Sequence, residues 1–337
     1  MQGPHDLAPE SASRGLRLLS VVAPMHDEQG NVTAFCERVS AALDGVPFEL
    51  VVVDDGSRDE TPAILARLAA HDDRIKVIRL SRNFGHQPAL TAGLEHARGD
   101  AVVMIDGDLQ DPPELITQML DAWRRGSDVV YAVREARAGE RRFKLWSARA
   151  FYRLFGRLAN IDLAPDSGDF RLMGRQALDA LLSMPERNRF LRGMTVWVGF
   201  TQSAVPYHRE ARTEGATKFT PGRMLRFSFD AISSFSQVPL QLATLLGFLI
   251  AGFAIFVAVP LTVVARYTNQ FVPGISSTIV VLLLLGGIQL ITVGIIGEYV
   301  GRIYDEVKRR PLYVVAERLN VSDETPPRRA STERRVT

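Results

Sequence analysis

The stretch Ala101-Val102-Val103-Met104-Ile105-Asp106-Gly107-Asp108-Leu109-Gln110-Asp111-Pro112-Pro113 decides how this chain folds. Its opening apolar run reads as a strand buried on both faces. That strand carries the carboxylates of Asp106 and Asp108 to its C-terminal lip, with the amide of Gln110 just beyond. Spacing of two along an extended segment turns both carboxylates the same way, so they can share one divalent cation. Oxygen ligands with positions left open suit Mg²⁺ or Mn²⁺ holding a diphosphate. Pro112 and Pro113 then predict a helix start, with Asp111 as N-cap and Pro112 at the first helical position. An acidic pair at a strand end is by itself a common surface feature, so the rest of the chain decides what it means.

Working outward, apolar runs alternate with helical patterns from residue 16 to residue 133. The predicted strands are Leu18–Ala23, Phe48–Val53, Ile75–Leu80, Ala101–Ile105 and Val129–Val133. The predicted helices are Val32–Leu43, Glu60–His71, Gln87–Ala97 and Pro112–Arg125. Strands separated by helices of this length imply βαβ units, hence an α/β fold with a mostly parallel sheet. Ligands of such sheets bind at the carboxyl ends of the strands. Three acidic clusters fall there: Pro24-Met25-His26-Asp27-Glu28, Asp54-Asp55-Gly56-Ser57 and Asp106-Gly107-Asp108. No Gly-x-Gly-x-x-Gly follows the first strand and no Walker loop is present, so a nucleotide would be held by another device.

The 337 residues leave room for one large domain and a smaller part. A net charge of +2 supplies no field for nucleic acid, which is not expected as a partner. Basic residues are lopsided, 36 Arg against 4 Lys, so a lysine in a suggestive context stands out. Cys36 is the sole cysteine and can form no internal disulfide, which fits a reducing cytosol. Residues 1–17 are polar without an apolar core and read as a disordered leader rather than a signal peptide. Residues 322–337, with Pro326-Pro327 and four Arg, read as a disordered tail.

No charged residue occurs from Ala231 to Ala265, nor from Tyr267 to Gly297. Each run exceeds the ~20 apolar residues that an α-helix needs to cross a bilayer. Spans are expected near Pro239–Ala265 and Ile275–Gly297, a two-helix hairpin over residues 239–297. The connector carries only Arg266, whereas Arg223 and Arg226 precede the spans and Arg302, Lys308, Arg309 and Arg310 follow them. By the positive-inside rule both flanks, both termini and the large domain are cytoplasmic, in a protein of the cell membrane whose partner is the lipid bilayer. Residues 221–238 read as an interfacial juxtamembrane helix and 298–321 as a cytosolic C-terminal segment. Arg141–Leu158 reads equally as an interfacial helix or as a domain helix packed on the sheet. Gly297 and Gly301 would permit close helix packing, which leaves a homo-oligomer open.

Taken together the residues resemble the family 2 glycosyltransferases of GT-A fold, and within them the polyprenyl-phosphate glycosyltransferases, including bactoprenol glucosyltransferases and dolichyl-phosphate mannose synthase. The resemblance runs from about Leu18 to Val315. It rests on Asp54-Asp55-Gly56-Ser57, Arg82-Asn83-Phe84-Gly85, Asp106 to Pro113, Gly168-Asp169-Phe170-Arg171-Leu172, Arg189-Phe190-Leu191-Arg192-Gly193 and Gly297-Glu298-Tyr299-Val300-Gly301-Arg302-Ile303-Tyr304. It implies a domain over residues 18–220 in which Pro24, His26 and Glu28 line the base and ribose pocket, with Val53 and Asp55 beside the base. It also implies that Asp106, Asp108 and Gln110 hold Mg²⁺ or Mn²⁺ and the diphosphate. His26-Asp27-Glu28 stands where the family usually has Tyr-Asn-Glu, so an imidazole replaces the ring that stacks on the base.

On the acceptor side, Arg212 to Lys218 is similar to the family's Arg-x-x-Gly-x-Ser-Lys loop, with Thr217 in place of Ser. Arg209, Arg212 and Lys218 beside a bilayer suit a lipid phosphate, and Arg134 at the end of the fifth strand is another candidate. The resemblance implies transfer of a sugar, glucose from UDP-glucose in the nearest subgroup, to polyprenyl (undecaprenyl) monophosphate. GlcNAc, mannose or aminoarabinose are the alternatives. Asp169 occupies the place where relatives that attack with hydroxyls put a base, and is expected to position the acceptor or sugar. Asp106, Asp108 and Asp169 are thus the expected catalytic carboxylates. A processive polysaccharide synthase would carry Gln-x-x-Arg-Trp, yet none of Trp123, Trp146 and Trp197 follows an Arg. A non-catalytic lipid-binding scaffold would be expected to lack a metal carboxylate.

Overall fold

The computed structural model describes residues 14–134, 167–207, 238–253, 256, 267 and 275–321. These divide into two compact units, one holding the residues up to Tyr207 and those from Pro311 on, the other running from Val238 to Arg310.

In the first unit the alternating pattern becomes β1 (Leu19–Met25), α1 (Val32–Ala42), β2 (Phe48–Asp54), α2 (Thr61–His71), β3 (Ile75–Leu80), α3 (His86–His96), β4 (Ala101–Met104), α4 (Leu115–Arg124) and β5 (Val129–Arg134). Then come β6 (Ser167–Gly174), α5 (Arg175–Ser183), α6 (Leu191–Trp197), β7 (Gln202–Tyr207) and, after the second unit, β8 (Val315–Leu319). The sheet order is β7-β5-β6-β4-β1-β2-β3-β8. Neighbours β4-β1-β2-β3 and the pair β5-β7 run parallel, while β6 and β8 are antiparallel to their neighbours.

The centre is parallel because its strands have no polar face. Every residue of β2 is buried, and so is every residue of β4. Such strands need helices on both sides. In α4 the residues Leu115, Ile116, Met119, Leu120 and Trp123 recur at helical spacing and are buried together. Phe35 of α1 and Leu50 of β2 are fully buried, and a side chain of that size contributes about 1.5–3 kcal/mol through burial.

Several expectations need correction. The helix after Asp111 begins at Leu115 with Glu114 at its N-cap, so Asp111 does not cap it. Asp111 is instead buried and bonded to Tyr207. Part of the expected leader belongs to the domain: Arg14 pairs with Asp128 and Arg17 with Asp100. The segment 298–321 is no simple tail, because its residues Val315–Leu319 form edge strand β8 on β3. The expected helices over Arg141–Leu158 and 221–238 lie outside the described residues, apart from Val238, as does the tail 322–337.

The second unit contains α7 (Val238–Phe253) and α8 (Ile275–Lys308). Judged on the described residues alone, no helix is long and apolar enough to cross a membrane. The described part of α7 stops short of Ala265, where the expected first span ends. Helix α8 runs unbroken through the expected second span and continues into the charged segment Glu298–Lys308.

Candidate active site

The parallel strands bring the three acidic clusters to one edge. Pro24 and Met25 at the end of β1, His26 and Glu28 just beyond it, Asp55 after β2, and Asp106, Gly107 and Asp108 after β4 line one cavity of about 260 Å³. Asn83, Gly85, His86 and Ala89 complete its wall from the start of α3. A second cavity of about 520 Å³ is lined by His26, Asp27, Ser57, Arg58, Arg79 and Arg82, among others, with Ala316 from β8. His26 and Asn83 belong to both walls.

Asp106 and Asp108 do not sit on an extended segment. The strand stops at Met104, a turn follows at Gly107-Asp108, and Leu109 has φ +58°, a left-handed conformation uncommon outside glycine. The turn still presents both carboxylates to the cavity. The Gln110 N–H donates to Asp108 at 3.2 Å. Gln110 itself is buried and lies outside the cavity wall.

The antiparallel register of β6 supplies the next group. Met104 faces Arg171 across the β4–β6 pair, so two residues further on Asp106 meets Asp169. Between them stands His86, the first residue of α3, whose Nε2 is 3.5 Å from Asp106 and 3.3 Å from Asp169. Arg192 of α6 closes the other side, with Nε and Nη2 each 3.2 Å from Asp169 Oδ1. Behind them the fully buried Arg171 donates to the carbonyl of Gly168 at 3.0 Å and to the Thr195 hydroxyl.

These contacts divide the two carboxylates electrically. Its recessed position, partly offset by His86 and reinforced by Asp169, Asp111 and Asp108, pushes Asp106 up to about 6. Asp169 is also buried, which opposes ionisation, but the His86 hydrogen bond and the charges of Arg192, His86 and Arg171 hold it well below the usual carboxylate range. Burial opposes the charge on His86, and the hydrogen bond to Asp169 with the charge of Asp106 outweighs it, raising its pKa. Asp106 and Asp108 both face the cavity, and a donor set of two carboxylates fits a hard divalent cation. Among the described residues no three His, Cys, Asp or Glu side chains gather as a complete metal cage.

Other expected site residues divide. Pro24, His26 and Glu28, expected at the base and ribose, line the smaller cavity, and His26 Nδ1 has no partner among the described residues. Glu28 is steadied by Asn31 Nδ2 at 2.6 Å. Asp55 reaches the cavity, but its carboxylate accepts the N–H groups of Phe84 at 2.7 Å and Gly85 at 2.9 Å. Its role is to tie down the loop that delivers His86. The same loop packs on Gly56, where φ is +66° and a Cβ would fall 2.4 Å from the Arg82 backbone. Val53 is corrected: it is fully buried within the sheet, so its side chain has no face on the cavity. Arg209, Arg212 and Lys218 lie outside the described residues. His86 was not anticipated, although it directly follows the Arg82-Asn83-Phe84-Gly85 motif.

An acidic pair at the carboxyl edge of a mostly parallel α/β sheet, facing a cavity, is the arrangement of a GT-A-like fold. Residues 20–182 match the domain described as Glycosyl transferase family 2. The chain is 44% identical over 306 residues to the uncharacterized glycosyltransferase YkcC of Bacillus subtilis, spanning 90% of this chain and 95% of that one. It is 38% identical over 299 residues to the SfII prophage-derived bactoprenol glucosyl transferase of Shigella flexneri, spanning 88% and 97%. It is likewise 38% identical to a prophage bactoprenol glucosyl transferase homolog of Escherichia coli, over 88% and 98%. This chain is a glycosyltransferase and belongs to family 2. Likeness to solved structures is weaker: glucosyl-3-phosphoglycerate synthase from Mycobacterium tuberculosis is 21% identical over 64% of this chain and 76% of that one, with a TM-score of 0.45.

Proposed function

We propose that this chain is a membrane-bound inverting glycosyltransferase that moves glucose from UDP-glucose to a polyprenyl monophosphate. The observation that carries the reading is the match to bactoprenol glucosyl transferases over 97% of their length, in a chain that places Asp106 and Asp108 together on the cavity wall. The membrane part is supported by the sequence, in which Ala231–Ala265 and Tyr267–Gly297 carry no charged residue. Phe248, Leu282 and Leu290 stand more than 60% exposed on α7 and α8, and lipid chains would cover such side chains. A cytoplasmic globular unit is supported by the basic flanks Arg223, Arg226, Arg302, Lys308, Arg309 and Arg310.

The diphosphate would lie at Asp106 and Asp108, with the nucleoside extending past His26 and Asn83 into the larger cavity. A divalent cation held by Asp106 and Asp108 would offset the charge that builds on the departing diphosphate. The nucleophile is a phosphate oxygen of the acceptor. A phosphate monoester has its second pKa near ~6, so it is mostly ionised at neutral pH and needs little base assistance. Its oxygen forms a bond to the anomeric carbon while the bond from that carbon to the β-phosphate oxygen breaks, and the electron pair leaves with UDP. One displacement inverts the centre, giving a β-linked lipid product from an α-linked donor. Asp169, held ionised between His86 and Arg192, positions these groups and is a poor proton acceptor. Orientation and charge screening therefore carry the rate gain.

The test is to incubate purified full-length protein with undecaprenyl phosphate and a panel of labelled sugar nucleotides. UDP-glucose should give the lipid-linked label; a different sole donor would replace the sugar assignment, and no lipid label from any donor would overturn the reading.

A further inference from the structure

Asp111, Arg134 and Tyr207 come from three separate elements and meet in one cluster. The Tyr207 hydroxyl donates to Asp111 Oδ1 and accepts from Arg134 Nε at 3.1 Å. Arg134 Nη2 lies 4.0 Å from the same Asp111 oxygen. Asp111 is 1% exposed and Tyr207 is buried, so neither presents a surface of its own. The Tyr207 ring is fixed further by an edge contact with Phe170, centroids 6.2 Å apart at 84°. The guanidinium of Arg134 passes over Gly168, where a Cβ would come within 3.3 Å of Nη2.

The three elements give this cluster its meaning. Asp111 follows the Asp106–Asp108 turn, Gly168 precedes Asp169, and Tyr207 directly precedes the segment that holds Arg209, Arg212 and Lys218. Arg134 therefore lies against Asp111 on one of these elements and Gly168 on another. Nε is engaged by Tyr207, while the side chain keeps 34% of its surface exposed. The neighbouring charges of Tyr207, Asp111 and Asp106 outweigh burial and keep the guanidinium firmly charged. A guanidinium gripped on one edge and open on the other is suited to a phosphate oxygen.

We propose that Tyr207 and Asp111 are positioning residues, a buried pair that aims the open edge of Arg134 at the phosphate of the lipid acceptor. This rests on the acceptor reading given above. Without the Tyr207 hydroxyl, Arg134 loses the contact that sets its angle, and Asp111 is left to draw the guanidinium away from the acceptor. Donor binding at Asp106 and Asp108 is unaffected, since neither Tyr207 nor Arg134 lines the donor cavities.

The experiment uses full-length protein in detergent or nanodiscs and compares wild type, Tyr207→Phe, Arg134→Ala and the double variant. Tyr207→Phe should raise KM for polyprenyl phosphate roughly tenfold, the size expected for one hydrogen bond to a charged group, and leave UDP affinity within about twofold. In the Arg134→Ala background the same change should add less than about twofold, because residues acting through one group are not additive. An unmoved acceptor KM, an undiminished effect without Arg134, or loss of UDP affinity alongside acceptor affinity would each overturn the inference. Wild-type protein that forms no lipid-linked product would overturn the functional reading as well, so the two failures are distinct.

Discussion

His86 Nε2 lies 3.3 Å from Asp169 and, through the same nitrogen, 3.5 Å from Asp106. One imidazole at the start of α3 therefore bridges Asp106 after β4 and Asp169 of β6. His86→Ala should lower kcat by about 10–100-fold, the range seen when a group orienting metal ligands is removed. Steady-state kinetics at saturating metal check this; unchanged kcat would make the bridge incidental.

Asp108→Ala should lower turnover by at least about 10²-fold, comparable to losing a principal electrostatic stabiliser of a transition state. EDTA should do the same to wild type, and Mg²⁺ or Mn²⁺ should restore it. Lipid-linked label formed at full rate in EDTA would remove the cation from the reaction.

The raised Asp106 pKa, about 6, predicts a pH dependence of cation use. Below that value the carboxyl is protonated and neutral, so the cation is held less well. The metal concentration giving half-maximal activity should rise as pH falls through about 6, and excess metal should shift the acid limb of activity downward. An acid limb insensitive to metal concentration would contradict this.

Asp169 shows the opposite shift, its pKa being held well below the usual range once His86 and Arg192 overcome the burial penalty. For a depressed carboxyl the stabilisation is present above the unfolded value of ~3.9 and is lost as pH falls below it. Asp169→Asn should cost on the order of 3 kcal/mol near neutral pH, as when one member of a buried pair is removed. Its Tm deficit relative to wild type should shrink below about pH 4. A deficit independent of pH would mean that the lost ion pairs are not its origin.

Tyr313 donates to the carboxylate of Glu95 near the end of α3, and β8 then pairs with β3. The chain returning from the second unit thus secures the helix that carries His86. Tyr313→Phe should lower stability by roughly 1.5–3 kcal/mol, read as a fall in Tm. No change in Tm would leave β8 pairing alone as the anchor.

The parallel half of the fold was legible because strands such as Phe48–Asp54 are apolar throughout and the helices between them keep a periodic buried face. β6 was less so, since Asp169 and Arg171 break the apolar pattern; the buried Arg171 is held there by its two Nη atoms, which donate to the Thr195 hydroxyl and to the carbonyls of Gly168 and Arg192. β7 contains Pro206, which an edge strand accepts but which weakens any strand reading. β8, Val315–Leu319, pairs with a strand over two hundred residues earlier, and local sequence says nothing of that pairing. In the site, Asp106, Asp108 and Asp169 followed from their motifs. His86 did not, because a single histidine at a helix start gains meaning only once β6 folds Asp169 against it. Val53 misled because its place beside a motif says nothing of which way a central strand turns the side chain.

The acidic pair is read here as assisting a leaving group, with a lipid phosphate as attacker. Purified full-length protein, UDP-glucose labelled in the sugar, Mg²⁺ and undecaprenyl phosphate suffice to decide it, with the product's anomeric configuration assigned by NMR. The expected result is label in the organic phase as a β-linked glucosyl phosphate, absent with Asp108→Ala. Label confined to water-soluble products, or an α-linked lipid, would contradict it.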